Sequence, residues 1–185
     1  MSKPGEIAAV ITMARELDRD WLTNPAGRDD PARYTPWMPF PLFDYIALLA
    51  EAMPVLEGSR LLELGCGIGS RMLVAQELFG LDVSGFDRVD EYVAQAVKLN
   101  LNVWADDALT FTGYGHYDVL WFNRPFLDPV PQRELEAKVW EAMAPGAVVI
   151  AANLEAPPPR AWMTVLDDWE VRRGIWWKPP PAPVA

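Results

Sequence analysis

Residues 61–70 read LLELGCGIGS, which places three glycines at alternate positions after two leucines and a glutamate. Glycine is a poor residue for the interior of a strand or helix, because it loses the most backbone entropy when it is ordered. The stretch therefore predicts a tight turn from a strand into a helix. Such a turn allows a ligand to approach the backbone closely, and the amides at the start of the helix then face that ligand.

The segments that follow alternate between short apolar runs and amphipathic stretches. Strands are expected at RLLEL, DVSGFD, NVWADDA, YDVLWFN and AVVIAANL, and helices at SRMLVAQELFG, VDEYVAQAVKLN and PQRELEAKVWEAMAPG. The run YDVLWFN is apolar on both faces, which is typical of a central parallel strand. This alternation predicts an α/β protein with an open, doubly wound, mostly parallel sheet and flanking helices.

The two ends of the chain differ from this pattern. GEIAAVITMARELDRDWL and LFDYIALLAEAMPVL have helical periodicity, and a segment with five prolines joins them. WMTVLDDWEVRRGIWWKP predicts a short helix and then one strand or a tight hairpin. We divide the chain into an N-terminal helical and Pro-rich region, a core and a disordered Pro-rich tail, at residues 1–56, 57–178 and 179–185.

Charge and composition limit the classes of partner. The net charge of −10, from 26 acidic and 16 basic residues, disfavours nucleic acid, which requires a basic face. An acidic surface suits a basic protein or a small cationic molecule. No apolar run approaches the length of a membrane span, and the single cysteine, Cys66, fits a reducing compartment. We therefore expect a cytoplasmic protein without a signal peptide.

The spacing of the glycines separates the possible cofactors. A dinucleotide-binding turn, G-x-G-x-x-G, would need a glycine where Ser70 stands, and a phosphate-binding loop would need a lysine. The pattern present is E-x-G-x-G-x-G, from Glu63 to Gly69. The single histidine, His116, and the lack of a Cys/His cluster exclude a histidine-based metal centre, and no metal site is expected.

LLELGCGIG resembles the first motif of class I S-adenosylmethionine-dependent methyltransferases, and the similarity continues in order over residues 60–154. In that family an acid ends the second strand, as Asp87 does in VSGFD, and another follows the third strand, as in ADDAL. The resemblance implies a Rossmann-like fold. It also implies that the cofactor is S-adenosyl-L-methionine, which becomes S-adenosyl-L-homocysteine.

The same resemblance implies how the turn would hold the methionine part of the cofactor. Gly65, Cys66, Gly67 and Gly69 would lie against it, while the Cys66 thiol itself would fill a small slot. Glu63 would orient the amino group of the cofactor, through water or the backbone.

The resemblance further implies an adenosine site after the second and third strands. Asp87 would accept hydrogen bonds from the two ribose hydroxyls, and Asp107, with Asp106 beside it, would accept one from the adenine amino group. The adenine ring would lie between apolar neighbours, namely Phe86, the stem of Arg88, and Trp104. Each acid has a simpler interpretation as a solvated helix cap.

Residues 123–126, NRPF, resemble the [DN]-P-P-[FY] motif of methyltransferases that act on planar amino groups. The resemblance implies that Asn123 and the carbonyl after it accept hydrogen bonds from the target nitrogen, beside the cofactor. Pro125 and Phe126 would complete the site, with the aromatic ring stacked on the planar group. Arg124 stands where the motif has proline, so Arg124→Pro is expected to restore the motif unless Arg124 binds an acidic part of the substrate. An ordinary polar turn is the alternative.

The Pro-rich segment ARYTPWMPFP is similar to a tyrosine–proline loop of compact lysine methyltransferases, including the non-SET histone type. That similarity implies that Tyr34 contacts the cofactor and that the segment is a lid which excludes water.

Together these features predict a single-domain methyltransferase that acts on a nitrogen of a protein or a small molecule. Three alternatives remain open: a cofactor-binding module without catalysis, a nucleic-acid amino-methyltransferase, and a nicotinamide oxidoreductase.

Overall fold

A computed structural model of the chain describes residues 4–23, 39–168 and 172–180. These residues form five α-helices, seven β-strands and two short 3-10 helices. The helices are α1 Pro4–Thr23, α2 Leu42–Ala52, α3 Ser70–Phe79, α4 Asp90–Val97 and α5 Pro129–Ala142. The strands are β1 Arg60–Leu64, β2 Asp82–Asp87, β3 Asn102–Ala105, β4 Val119–Asn123, β5 Val148–Ala152, β6 Met163–Asp168 and β7 Arg173–Trp177. The 3-10 helices are Met53–Val55 and Tyr114–His116.

All seven strands belong to one sheet, in the order β3-β2-β1-β4-β5-β7-β6. The first five strands in that order are parallel, whereas β7 is antiparallel to both β5 and β6. The fold class predicted from the sequence is therefore confirmed. The chain reverses its winding between β1 and β4, and in open α/β sheets ligands bind in the crevice at this point.

Alternate residues of the central strands enter two apolar clusters on opposite faces of the sheet. Leu61 and Trp121 belong to the cluster beneath α2 and α3, and Leu62 and Leu120 belong to the cluster beneath α5. Because β4 is buried on both faces, its sequence is a continuous apolar run.

The C-terminal segment corrects one prediction. The short helix expected in WMTVLDDWEVRRGIWWKP is wrong, because residues 163–168 form the strand β6. The hairpin, which was one of the two expected alternatives, is confirmed, because β6 pairs with β7 in antiparallel fashion. The hairpin is fixed by long-range burial, since Ile175 and Trp176 of β7 are buried against β5.

Parts of the predicted regions lie outside the described residues, including Tyr34 and the tail from residue 181. The proposed division of the chain stays a prediction. Among the described helices, none combines the length and apolarity required to cross a membrane.

Candidate active site

A cavity of about 510 Å³ opens at the carboxyl ends of β1, β2 and β4. Nine of the residues predicted for the site line it: Glu63, Gly65, Phe86, Asp87, Arg88, Asp106, Asn123, Pro125 and Phe126. Five others are not among the described residues that line the cavity: Cys66, Gly67, Gly69, Trp104 and Asp107. The sheet therefore brings together residues that are up to 63 positions apart, from Glu63 to Phe126.

The three glycines of the turn all have left-handed backbone conformations, with φ of 66° at Gly65, 53° at Gly67 and 80° at Gly69. This conformation is costly for a residue with a Cβ. At Gly69 an added Cβ would also lie 2.5 Å from Leu101 Cδ1. Gly69 is thus required by the packing of the turn, whereas Gly65 faces the cavity.

Cys66 lies behind the turn, with 1% of its surface exposed. Its Cβ would be 2.9 Å from a Cβ added to Gly85 of β2, so the two residues are in close contact. Burial raises the pKa of the thiol. The side chain fills a slot against β2, so any contact of Cys66 with a ligand would involve its backbone.

Asp87 connects the end of β2 to the glycine turn. Its Oδ2 accepts a hydrogen bond from the Gly67 amide at 2.9 Å, and its Oδ1 accepts one from the Val89 amide at 3.0 Å. Burial raises the pKa of this carboxyl, and the backbone amides partly oppose that shift. The two oxygens of a carboxylate offer about four acceptor sites, so Asp87 can hold the turn and still accept from a ligand.

The two neighbouring acids after β3 have different environments. Asp106 lines the cavity and accepts hydrogen bonds from the Trp104 indole and from the Asp107 amide. Asp107 accepts from the Leu109 amide and forms an ion pair with Arg88 at 3.1 Å. The geometry thus favours Asp106 over Asp107 as the acid available to a ligand.

The aromatic residues at this end of the cavity form their own cluster. The ring centroids of Phe86 and Trp104 are 5.7 Å apart, and Phe111 packs against Phe86 at 5.0 Å. Phe86 lines the cavity, whereas Trp104 is not among its described lining residues. Trp104 therefore supports Phe86 from behind.

Glu63 has an unusual environment for a carboxylate. It lines the cavity with 4% of its surface exposed, and its Oε2 has no hydrogen-bond partner among the described residues. Burial raises the pKa of Glu63 to about 8, although the nearby Arg71 guanidinium and a hydrogen bond with Trp121 lower it. A buried acceptor without a donor is costly, so this oxygen is suited to a ligand that brings one.

Arg71, at the start of α3, was not identified from the sequence. It lines the cavity, donates to the Phe40 carbonyl at 2.8 Å and forms an ion pair with Asp18 of α1 at 2.9 Å. Ser70 also donates to Asp18, at 2.7 Å. This network fixes α1 beside the glycine turn. The only local signal was an arginine in a helix segment whose other residues are mostly apolar.

The loop after β4 is organised around Arg124, which has φ of 42°. Its guanidinium donates to the carbonyls of Phe126 and Leu127 and forms an ion pair with Glu155 at 2.6 Å. This conformation disfavours the expectation that proline would restore the motif, because proline fixes φ near −65°, and that expectation stays a prediction. The arginine holds the loop through hydrogen bonds to its carbonyls, and Glu155 compensates its charge.

The ends of β4 and β5 are joined directly, and α5 holds the loop after β4. Asn153, with φ of 58°, lines the cavity and donates from Nδ2 to Asn123 Oδ1 at 2.7 Å. On α5, the fully buried side chain of Gln132 accepts a hydrogen bond from the Phe126 amide and donates one to Glu136. Sequence reasoning missed Asn153, because an asparagine after a strand is also typical of an ordinary turn.

Glu136 completes the connection between these two loops. It is 1% exposed, and besides Gln132 it accepts from the amides of Glu155 and Ala156 at 2.8 and 3.0 Å. The two loops are therefore held by one buried polar network.

His116 belongs to the 3-10 helix Tyr114–His116 and is not among the described residues that line the cavity. It is exposed in the loop before β4, as expected for a surface residue.

Comparisons with known proteins place the fold. No protein-family model matches the sequence, and no curated protein matches it significantly. Among solved structures, an RNA methyltransferase from Salinibacter ruber, in complex with S-adenosyl-L-homocysteine, is similar with 19% identity and a TM-score of 0.59, over 80% of this chain and 98% of that chain.

Two further structures are similar over a smaller region. Haemonchus contortus phosphoethanolamine N-methyltransferase 2, in complex with S-adenosyl-L-methionine, has 23% identity and a TM-score of 0.50, over 60% of this chain and 27% of that one. E. coli YjhP has 20% identity and a TM-score of 0.50, over 62% and 50%. The chain thus spans half or less of the length of these two. It has the Rossmann-like fold of class I S-adenosylmethionine-dependent methyltransferases.

Proposed function

We propose that this protein is an S-adenosylmethionine-dependent methyltransferase that transfers a methyl group to a nitrogen of a protein or a small molecule. The observation that carries the proposal is the Oε2 atom of Glu63, a buried acceptor without a described partner at the switch point of the sheet. The amino group of S-adenosyl-L-methionine is a cationic donor, and its charge would favour the ionised form of Glu63, whose oxygen then accepts the hydrogen bond that it lacks here.

The other residues of the cavity fit the rest of the cofactor. Asp87 has lone pairs available for the vicinal hydroxyls of a ribose, and Asp106 offers an acceptor beside the apolar surface of Phe86. The bound cofactor would supply an electrophilic methyl group, and the protein would supply position and a cavity from which water is excluded.

The chemistry of the opposite wall favours nitrogen as the acceptor atom. Among the described residues, the polar side chains that line the cavity at the ends of β4 and β5 are Asn123, Arg124 and Asn153, and neither an amide nor a guanidinium can take up a proton. The nearby Glu155 carboxylate is ion-paired with Arg124 and is not among the described lining residues. An alcohol or phenol must lose its proton to become a strong nucleophile, and none of these three lining side chains can act as the base. A neutral amine already carries the lone pair that attacks.

The overall charge supports a cationic or neutral substrate. With a net charge of −10, the protein would repel a carboxylate or a polyphosphate at a distance. Substrates with the opposite charge, such as basic proteins and small amines, would be attracted. This argument disfavours RNA, which is the substrate class named for the Salinibacter ruber protein.

The first experiment tests the cofactor. S-adenosyl-L-methionine and S-adenosyl-L-homocysteine should raise the melting temperature, whereas NAD and ATP should not, because only a ligand of the folded state stabilises it. Asp87→Asn should weaken binding of S-adenosyl-L-homocysteine by about tenfold or more in calorimetry, through loss of a charged acceptor. Stabilisation by NAD instead would support an oxidoreductase and contradict the proposal.

The second experiment tests the transfer. The protein is incubated with cofactor labelled in the methyl group and with host lysate separated into protein, RNA and small molecules. Label that is released by protease or is found in small amines supports the proposal. Label that is released by ribonuclease supports a nucleic-acid methyltransferase, and cofactor binding without transfer to any fraction supports a binding module without catalysis.

A further inference from the structure

The amide of Asn123 has two orientations that a sequence motif does not distinguish. Rotation by half a turn exchanges its oxygen, which accepts hydrogen bonds, for its NH₂ group, which donates them. Only the first orientation accepts a hydrogen bond from an amine. A residue that selects this orientation would therefore control whether the end of β4 can hold a nitrogen substrate.

Asn153 is placed to make that selection. Its Nδ2 donates to Asn123 Oδ1 at 2.7 Å, and both residues line the cavity. An N–H donor opposite this position favours the oxygen of Asn123 over its NH₂ group. The oxygen keeps a second lone pair for another donor.

The backbone that follows Asn153 is fixed by contacts of the next two residues. Its φ of 58° lies in the left-handed region, which asparagine tolerates better than most residues. The next residue but one, Glu155, is held by the Arg124 ion pair and by Glu136. Leu154 donates its amide to the Arg172 carbonyl at 3.2 Å. The exposed side chain of Asn153 is thus attached to a loop that its next two residues hold in place.

We infer that Asn153 is a positioning residue, which holds Asn123 so that its Oδ1 atom accepts an N–H of the methyl acceptor. The inference rests on the proposed function and deepens it. The nitrogen of the methyl acceptor would lie between the ends of β4 and β5, within hydrogen-bonding distance of Asn123 Oδ1. The predicted role of Asn123 then requires a partner 30 residues away in the chain.

Two variants of Asn153 separate its amide from its backbone. Asn153→Asp keeps the size and the left-handed conformation but cannot donate at pH 8, and Asn153→Gly removes the side chain while allowing the same φ. Asn100 is a matched control, because it has φ of 57° and is not among the described residues of the cavity. Asn100→Asp and Asn100→Gly make the same two changes elsewhere.

The readouts are the initial rate of label transfer to a fixed amount of the accepting lysate fraction at saturating cofactor, and the affinity for S-adenosyl-L-homocysteine. We expect both Asn153 variants to lose about ten- to a hundredfold in this rate, with cofactor affinity within about twofold of the original protein. Both Asn100 variants should behave as the original protein does. Normal turnover in either Asn153 variant would overturn the inference while leaving the proposed function intact.

A spectroscopic readout keeps the inference testable without turnover. In ¹⁵N-labelled protein, Asn153→Asp should shift the side-chain amide signals of Asn123, whereas Asn100→Asp should not. If the original protein binds the cofactor but methylates nothing, the proposed transfer fails, and these signals decide whether Asn153 orients Asn123. Unchanged Asn123 signals would then overturn the inference.

Discussion

Glu63 and Glu136 are buried acidic residues in two regions of the same molecule, and their hydrogen-bonding environments are opposite. Glu136, on α5, receives three N–H donors, from Gln132, Glu155 and Ala156. Glu63, on β1, has an oxygen without any described partner and a pKa raised to about 8. The exposed fractions of the two residues are nearly equal, at 4% for Glu63 and 1% for Glu136. Burial alone therefore does not distinguish a structural acid from one that is available to a ligand.

The difference extends to the loops around each acid. Beside Glu63, the backbone turns through glycines, and Asp87 holds them with lone pairs to spare. Beside Glu136, the turns use Arg124 and Asn153, and side chains hold them. The first region leaves acceptor atoms available to a ligand. In the second region most polar groups hydrogen-bond to one another and form a rigid wall.

The largest expected effect concerns the pH dependence that Glu63 contributes. Between pH 4.5 and about 8 the unfolded chain has lost the proton that folded Glu63 keeps, so the free energy of unfolding falls as the pH rises through this window. Glu63→Gln should remove a fall of about 3 kcal/mol between pH 5 and 8, measured by urea denaturation of both proteins. Equal pH profiles for the two proteins would contradict the raised pKa.

Glu136→Ala should destabilise the protein by about 3 kcal/mol at pH 7, because it leaves buried donors without an acceptor. Urea denaturation measures the loss. Glu136→Gln is the control, since its carbonyl oxygen still accepts from the loop and should retain most of the stability. If Glu136→Ala were as stable as Glu136→Gln, the network would not hold the two loops.

Arg124→Pro should lower the free energy of unfolding by about 2 kcal/mol, because proline cannot adopt the φ of 42° that this loop requires. Arg124→Gly also removes the Glu155 ion pair but permits the conformation, so it should cost less. Thermal unfolding of both variants tests the order. A proline variant more stable than the glycine variant would show that the loop can take the motif's geometry.

The smallest expected effect comes from a comparison of Gly67, in the glycine turn, with Gly80, a left-handed glycine at the end of α3. Gly67→Ala and Gly80→Ala should each cost about 1 kcal/mol of stability, because φ is 53° at the first and 67° at the second. Only Gly67→Ala should also weaken binding of S-adenosyl-L-homocysteine, since relief of the strained φ would move the backbone amide that holds Asp87. Calorimetry on both variants makes the comparison. Equal affinities would show that the turn serves the backbone alone.

The local part of the architecture could be predicted from the sequence. The boundaries of β1 and the end of α3 at Gly80 agree with the structure, and Asp87 ends β2 as expected. These features depend on neighbouring residues, since periodicity specifies the element and glycine permits the left-handed conformation that ends it. Order along the chain was then sufficient to predict a doubly wound sheet.

The partners of the candidate site were decided by the tertiary structure. Asp106 lines the cavity, with the Trp104 indole as a donor, whereas Asp107 is paired with Arg88. Neighbouring residues in the sequence do not indicate this difference. The pairing of Asn123 with Asn153 depends on β4 and β5 lying side by side.

The first strand of the C-terminal hairpin and the conformation of Arg124 were likewise outside the reach of local patterns. Burial against β5 overrode the helix expected around residue 163, and Glu155 holds a backbone angle that proline cannot adopt. A sequence specifies backbone preferences over a few residues. Contacts between residues 30 or more positions apart, such as Asn123 with Asn153, exist only once the sheet has brought the ends of its strands together.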